Sequence, residues 1–175
     1  AYTNAGEIAS PTESAKIWDA ETGEVLITLK DHSSSELRSA SFSPDGRYVI
    51  TTNGDLTPKI WDAKTGEELR ALKGHKNGVG FAAFSSEGRR VVTGTSDRRA
   101  EGYHSARIWD AKSGKELLAL VGHSRGIRHA EFSSDGRRLL TESWDQTVKI
   151  WDAWTGKELR TLKGNQGKLS FARFS

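Results

Sequence analysis

The chain has 175 residues, 35% of them hydrophobic and 28% charged, a length that suggests one domain or at most two. Cysteine is absent, which excludes disulfides and thiolate metal sites, and no apolar run approaches the eighteen residues that would span a bilayer. The net charge of +3 comes from Lys and Arg spread through the whole chain, the pattern of a solvated surface, which argues against a nucleic-acid partner. No charged-then-apolar leader opens the sequence, so no membrane partner and a cytoplasmic location are expected.

Residues 1–30 begin near the end of one strand, pass through the extended stretch "NAGEIASPTES", and then read as two strands, "AKIWD" and "VLITLK", joined by a Gly-containing hairpin. Residues 33–74 read as four strands. "LRSASFS" carries small and apolar residues suited to a crowded inner strand, "PDGR" makes a tight turn, and "RYVITT" is β-branched and apolar. "PKIWD" is the third, and "ELRALKGH" alternates as a fourth, outer strand. Residues 76–122 repeat this plan with "VGFAAFS", "RRVVTG", "ARIWD" and "ELLALVGH", and insert "RRAEGYHS" between the second and third strands. Residues 124–164 repeat it again with "IRHAEFS", "RRLLTE", "TVKIWD" and a fourth strand from Glu158. Residues 166–175 end on "FARFS", an inner strand with no second strand after it.

Three markers keep one rhythm. The Trp-Asp pairs begin at Trp18, Trp61, Trp109 and Trp151, spaced by 43, 48 and 42 residues. Asp31-His32, Gly74-His75, Gly122-His123 and Gly164-Asn165 repeat those spacings, and Phe-Ser recurs at Phe42, Phe84, Phe132 and Phe174. Four-strand units of about 40–45 residues with Gly-His and Trp-Asp markers resemble the WD-repeat β-propeller family over essentially the whole chain.

The resemblance implies an all-β propeller with four blades, each stiffened by a buried hydrogen-bond chain of His, Ser or Thr, Asp and Trp. Its members would be His32, Thr51, Asp55 and Trp61, then His75, Thr93, Asp97 and Trp109, then His123, Thr141, Asp145 and Trp151. Indole donates, imidazole does both, and carboxylate accepts, so each chain can be satisfied end to end. Recurrence in every blade argues for a structural role, because a catalytic site is needed once. His104 and His129 have no metal-ligand spacing. Glu131, Arg128 and Arg173 on inner strands are read as lining a wet channel rather than a catalytic centre. No catalytic residue, cofactor or metal is expected. The loops between second and third strands are the candidate partner surface, with Trp144, Arg98, Arg99 and Tyr103 as its contacts. The alternative for Trp144 is packing against the neighbouring blade. Trp154, on the opposite face, is read as covering its own hairpin.

Blades of this family are wedges suited to rings of seven or eight, so four make about half a ring. The expectation is a homodimer closing an eight-bladed ring across a two-fold axis, with the last strand completing the first blade in cis or in trans. The alternative is a piece of a longer regulatory protein whose propeller docks or senses a partner. The absence of Met keeps both an engineered chain and such a piece open. The function expected is that of a non-catalytic scaffold for protein–protein interaction.

Overall fold

Most hairpins of this protein are closed by side chains belonging to the turn itself. In the first kind of turn, Ser43 Oγ donates to Asp45 Oδ1 (2.6 Å) while the Arg47 amide donates to the same oxygen (3.1 Å). Ser133, Asp135 and Arg137 repeat the arrangement. In the second kind, the Asp of each Trp-Asp pair folds back on its own hairpin turn. Asp62 Oδ1 accepts from the amides of Lys64 and Thr65, both at 2.8 Å, and Asp19 and Asp152 do the same in their hairpins. These amide bonds hold the three carboxyls below the usual carboxylate range.

The computed structural model describes residues 14–30, 37–95, 105–163 and 172–174. Among them are fourteen strands in four antiparallel sheets and no helix. The first sheet pairs β1 (Ser14–Trp18) with β2 (Val25–Lys30). The second runs in chain order through β3 (Ser39–Phe42), β4 (Tyr48–Thr52), β5 (Lys59–Asp62) and β6 (Glu68–Ala71). The third is built likewise from β7 (Val79–Phe84), β8 (Arg90–Thr95), β9 (Ser105–Asp110) and β10 (Glu116–Val121). The fourth comprises β11 (Ile127–Phe132), β12 (Arg138–Ser143), β13 (Thr147–Asp152) and β14 (Glu158–Lys163). The third-to-fourth-strand hairpins all slip register beside the Trp, so the same bulge recurs in each unit.

Strand alternation gives each sheet two apolar faces, and sheets stack face to face in chain order. Between the first and second sheets lie Ile17 and Leu29 against Val49 and Trp61. Ile50, Ile60 and Leu72 of the second meet Ala82, Val91 and Trp109 of the third. Val92, Ile108 and Leu120 of the third meet Ala130, Leu139 and Trp151 of the fourth. The joint is therefore one design used three times: a Trp inserted against an Ile and a Leu. The inner strands β3, β7 and β11 lie side by side. Residues 172–174 come next, where the Phe174 amide donates to Glu131 Oε1 (3.3 Å).

Candidate functional site

In the fourth sheet a continuous hydrogen-bond chain crosses the core. Trp151 Nε1 donates to Thr141 Oγ1 (2.8 Å), and Thr141 Oγ1 lies 2.8 Å from His123 Nε2. His123 Nδ1 lies 2.8 Å from Asp145 Oδ2, which also accepts from the Ser124 amide (3.0 Å). Asp145 Oδ1 takes the Thr147 amide (2.9 Å) and hydroxyl (2.7 Å). One assignment satisfies every member: the Thr141 hydroxyl donates to Nε2 and the imidazole donates from Nδ1. Burial pushes the His123 pKa down against the pull of Asp145, so the contact is a hydrogen bond from a neutral ring rather than an ion pair. Burial would raise Asp145, but its bonds to Thr147, His123 and Ser124 outweigh that and hold it at about 2.

The third sheet places Trp109 Nε1 at 2.7 Å and His75 Nε2 at 2.6 Å from Thr93 Oγ1. Burial, with the Arg107 guanidinium nearby, lowers the His75 pKa to about 3. In the second sheet Trp61 Nε1 donates to Thr51 Oγ1 (2.8 Å), and Asp55 Oδ1 accepts from the Thr57 amide (2.8 Å). His32 and Asp97, the remaining members expected for these two sets, lie outside the described residues, as do Arg98, Arg99, Tyr103 and His104.

Trp144 is half-buried, with the Arg128 guanidinium 4.4 Å from its ring centroid. Arg128 Nη1 also lies 2.9 Å from the buried Glu142 carboxylate, so acid, cation and ring form one stack on a single sheet. On the inner wall His129 meets Glu131 (3.5 Å) and sets its ring edge-on against Phe81 of the adjoining sheet. Among the described residues no group of three or more His, Asp or Glu side chains is arranged to hold a metal ion. Nor is any helix among them long and apolar enough to cross a membrane.

Sequence reasoning missed Arg90. Its guanidinium is buried and donates to Gly136 O (2.5 Å), Ala153 O (3.1 Å) and Glu87 Oε1 (3.0 Å). Gly136 and Ala153 belong to the next sheet, so Arg90 ties the third sheet to the fourth. Trp154, expected to cover its own hairpin, instead sets its ring 4.5 Å from this guanidinium. A buried cation needs partners, and the carbonyls at the turn supply them, with the ring face as a lid. No signal in "GRRVV" separates Arg90 from the exposed Arg138 of "GRRLL". The difference is the sheet stacked beyond Arg90, whose turn carbonyls reach its guanidinium.

The two ends of the stack carry the joint surfaces without a partner sheet among the described residues. Leu162 is 49% exposed, whereas its counterparts Leu29, Leu72 and Leu120 are at 0%, 0% and 2%. Ile150 is half-buried where Ile60 and Ile108 are buried. At the opposite end Trp18 is 36% exposed, against 1–3% for Trp61, Trp109 and Trp151. The hairpin glycines repeat the asymmetry. A Cβ on Gly66, Gly114 or Gly156 would meet the outer strand of the preceding sheet at 2.8–3.5 Å, while one on Gly23 would meet nothing within 4 Å.

A family model described as "WD domain, G-beta repeat" matches residues 23–62, 66–110 and 114–152. The chain belongs to the WD-repeat family. The "Nuclear distribution protein PAC1" of Arthroderma benhamiae is 47% identical over 49 residues, covering 28% of this WD-repeat chain and 10% of that protein. The protein of the same name in Trichophyton verrucosum gives identical figures. Among solved structures, the computationally designed Ika8 protein matches with a TM-score of 0.80 at 30% identity, over 95% of this chain and 48% of that one. This WD-repeat chain thus spans about a tenth of the curated relatives it matches and about half of the designed protein.

Proposed function

We propose that the protein is a non-catalytic WD-repeat scaffold: a four-bladed arc that pairs with a second copy into a closed eight-bladed ring and presents its loop faces to protein partners. The observation that carries this reading is the pair of sheet faces that, among the described residues, have no sheet stacked on them. The face with Leu162 and Ile150 and the face with Trp18 are the two halves of a joint already formed three times within the chain. Each of these side chains gains roughly 1–2 kcal/mol on burial. A two-fold pair forms two such seams in one association step, so the entropy of association is lost once for two interfaces. The likeness to about half of a designed chain supports the half-ring reading.

In this assembly residues 1–30 are the partial first blade, followed by blades at 33–74, 76–122 and 124–164. Residues 166–175 supply the inner strand that the partner's first blade lacks. The hydrogen-bond sets built on Thr51, Thr93 and Thr141 stiffen the blades, and Trp144 with Arg98, Arg99 and Tyr103 forms the surface offered to partners.

The test is the absolute mass of the purified chain by light scattering. Twice the chain mass of 19.2 kDa supports the two-copy ring. A compact monomer at all concentrations overturns it. A second reading, in which further blades of a longer polypeptide cover both ends, is favoured by the greater length of the matched relatives. It predicts polydisperse association that ends when the missing blades are supplied.

A further inference from the structure

The three internal joints share an apolar centre but differ at the rim, and the difference is legible position by position. At the second and third joints the residue two before the hairpin glycine approaches the preceding sheet. Arg70 Nε donates to the carbonyl of Lys112 (3.0 Å), and the ring of Trp154 covers Arg90 at 4.5 Å. The outer-strand residue facing that hairpin is Ile27, Arg70 or Leu118 in turn, each within reach of a Cβ built on the hairpin glycine (2.8–3.5 Å). The rim pairs are therefore Ile27 with the Lys64 hairpin, Arg70 with Lys112, and Leu118 with Trp154. Tyr48 and Arg90 open the second strand of their sheets and complete the second and third joints respectively. None of these three rim pairs sets an acid against a base.

At the open ends the same positions hold different chemistry. The outer-strand residue is Arg160, the first residue of the second strand is Arg138, and the residue two before Gly23 is Glu21; all three are exposed. By position in the repeat, Glu21 corresponds to Trp154, Arg138 to Arg90, which Trp154 covers, and Arg160 to Arg70 and Leu118 of the internal joints. We propose that the Glu21 carboxylate of one copy is received between Arg138 and Arg160 of a second copy, an ion-pair recognition that the internal rim pairs lack. This inference rests on the two-copy ring and identifies what makes its ends choose each other.

Specificity of this kind needs repulsion as well as attraction. Four similar blades can stack out of order, and arrays of near-identical repeats are prone to misassembly. Were the Arg138–Arg160 end to seat on the hairpin of the second or third blade, it would meet Lys64 or Lys112 instead of an acid. The seam also departs on its inner side. Lys59–Glu68, Arg107–Glu116 and Lys149–Glu158 are ion pairs beside the Trp of their blades, but Val25 occupies the acid's place beside Trp18. Lys16 keeps its position 5.8 Å from the Trp18 ring. The first blade has lost its internal acid at this register and carries its distinguishing one, Glu21, at the rim.

The experiment measures dimer dissociation by sedimentation equilibrium for the wild type, Glu21→Arg, the pair Arg138→Glu/Arg160→Glu, and all three changes together. All three sites are exposed, and far-UV circular dichroism checks that each variant folds. At low salt the Glu21→Arg chain is expected to dissociate about tenfold more readily than wild type, with the difference shrinking in about 1 M salt. The triple variant should self-associate like wild type yet form no mixed dimers with it by native mass spectrometry. An unchanged dissociation constant for Glu21→Arg, or free mixing of the triple variant with wild type, overturns the inference and leaves the ring standing. A wild type that never dimerises removes both.

Discussion

His75 and His123 sit in the core as neutral rings, and that choice has a thermodynamic sign. Burial lowers His75 to about 3, while the unfolded chain binds a proton on the same ring below about 6.5. The unfolded state therefore takes up more protons as pH falls, and stability present above pH 6.5 is lost progressively down to about pH 3. His123 is lowered as well and adds to the same loss. Asp145, held at about 2, contributes a further loss only below its ordinary value of 3.8. Thermal melts between pH 7.5 and 4 should show stability falling below pH 6.5 by up to about 1.4 kcal/mol per pH unit from His75, with His123 adding in the same direction. His75→Gln should lower stability at pH 7.5 but flatten the slope. A slope equal to that of wild type would show that His75 is not the group responsible.

At the scale of the element, the hairpins join one sheet to the next. Gly66 adopts φ +75°, and a Cβ there would approach Ile27 Cγ2 at 2.8 Å. Gly23 has the same conformation, φ +72°, with nothing within 4 Å. Gly23→Ala should cost about 1 kcal/mol from backbone strain in the dissociated chain, and Gly66→Ala more, because strain and overpacking add. Urea denaturation at a concentration where the chain is monomeric reads the difference, and equal losses would contradict the joint packing described. The strands and hairpins were legible because Asp-Gly turns and period-two alternation are local chemistry. Arg90 and Trp154 were not, since a cation's burial depends on carbonyls 46 and 63 residues away in the chain. The His–Thr–Trp sets rested on the family resemblance rather than on any periodicity, and the described residues place Thr51, Thr93 and Thr141 each within hydrogen-bond distance of the expected indole.

The described sheets form a stack whose two end faces expose the apolar centre of its internal joints, with charged residues at the rim. If two copies close it, folding and association are linked, and the melting temperature must rise with chain concentration. A tenfold increase in concentration should raise it by a few degrees, while Leu162→Asp, which sets a charge in the seam, should abolish the dependence. A melting temperature independent of concentration in the wild type would separate stability from pairing. Residues 172–174 lie beside β11, where the Phe174 amide meets Glu131. In a two-copy ring, joining two such four-blade units in one polypeptide would make closure unimolecular. A four-blade chain left unjoined would instead switch between open and closed with the dose at which it is made.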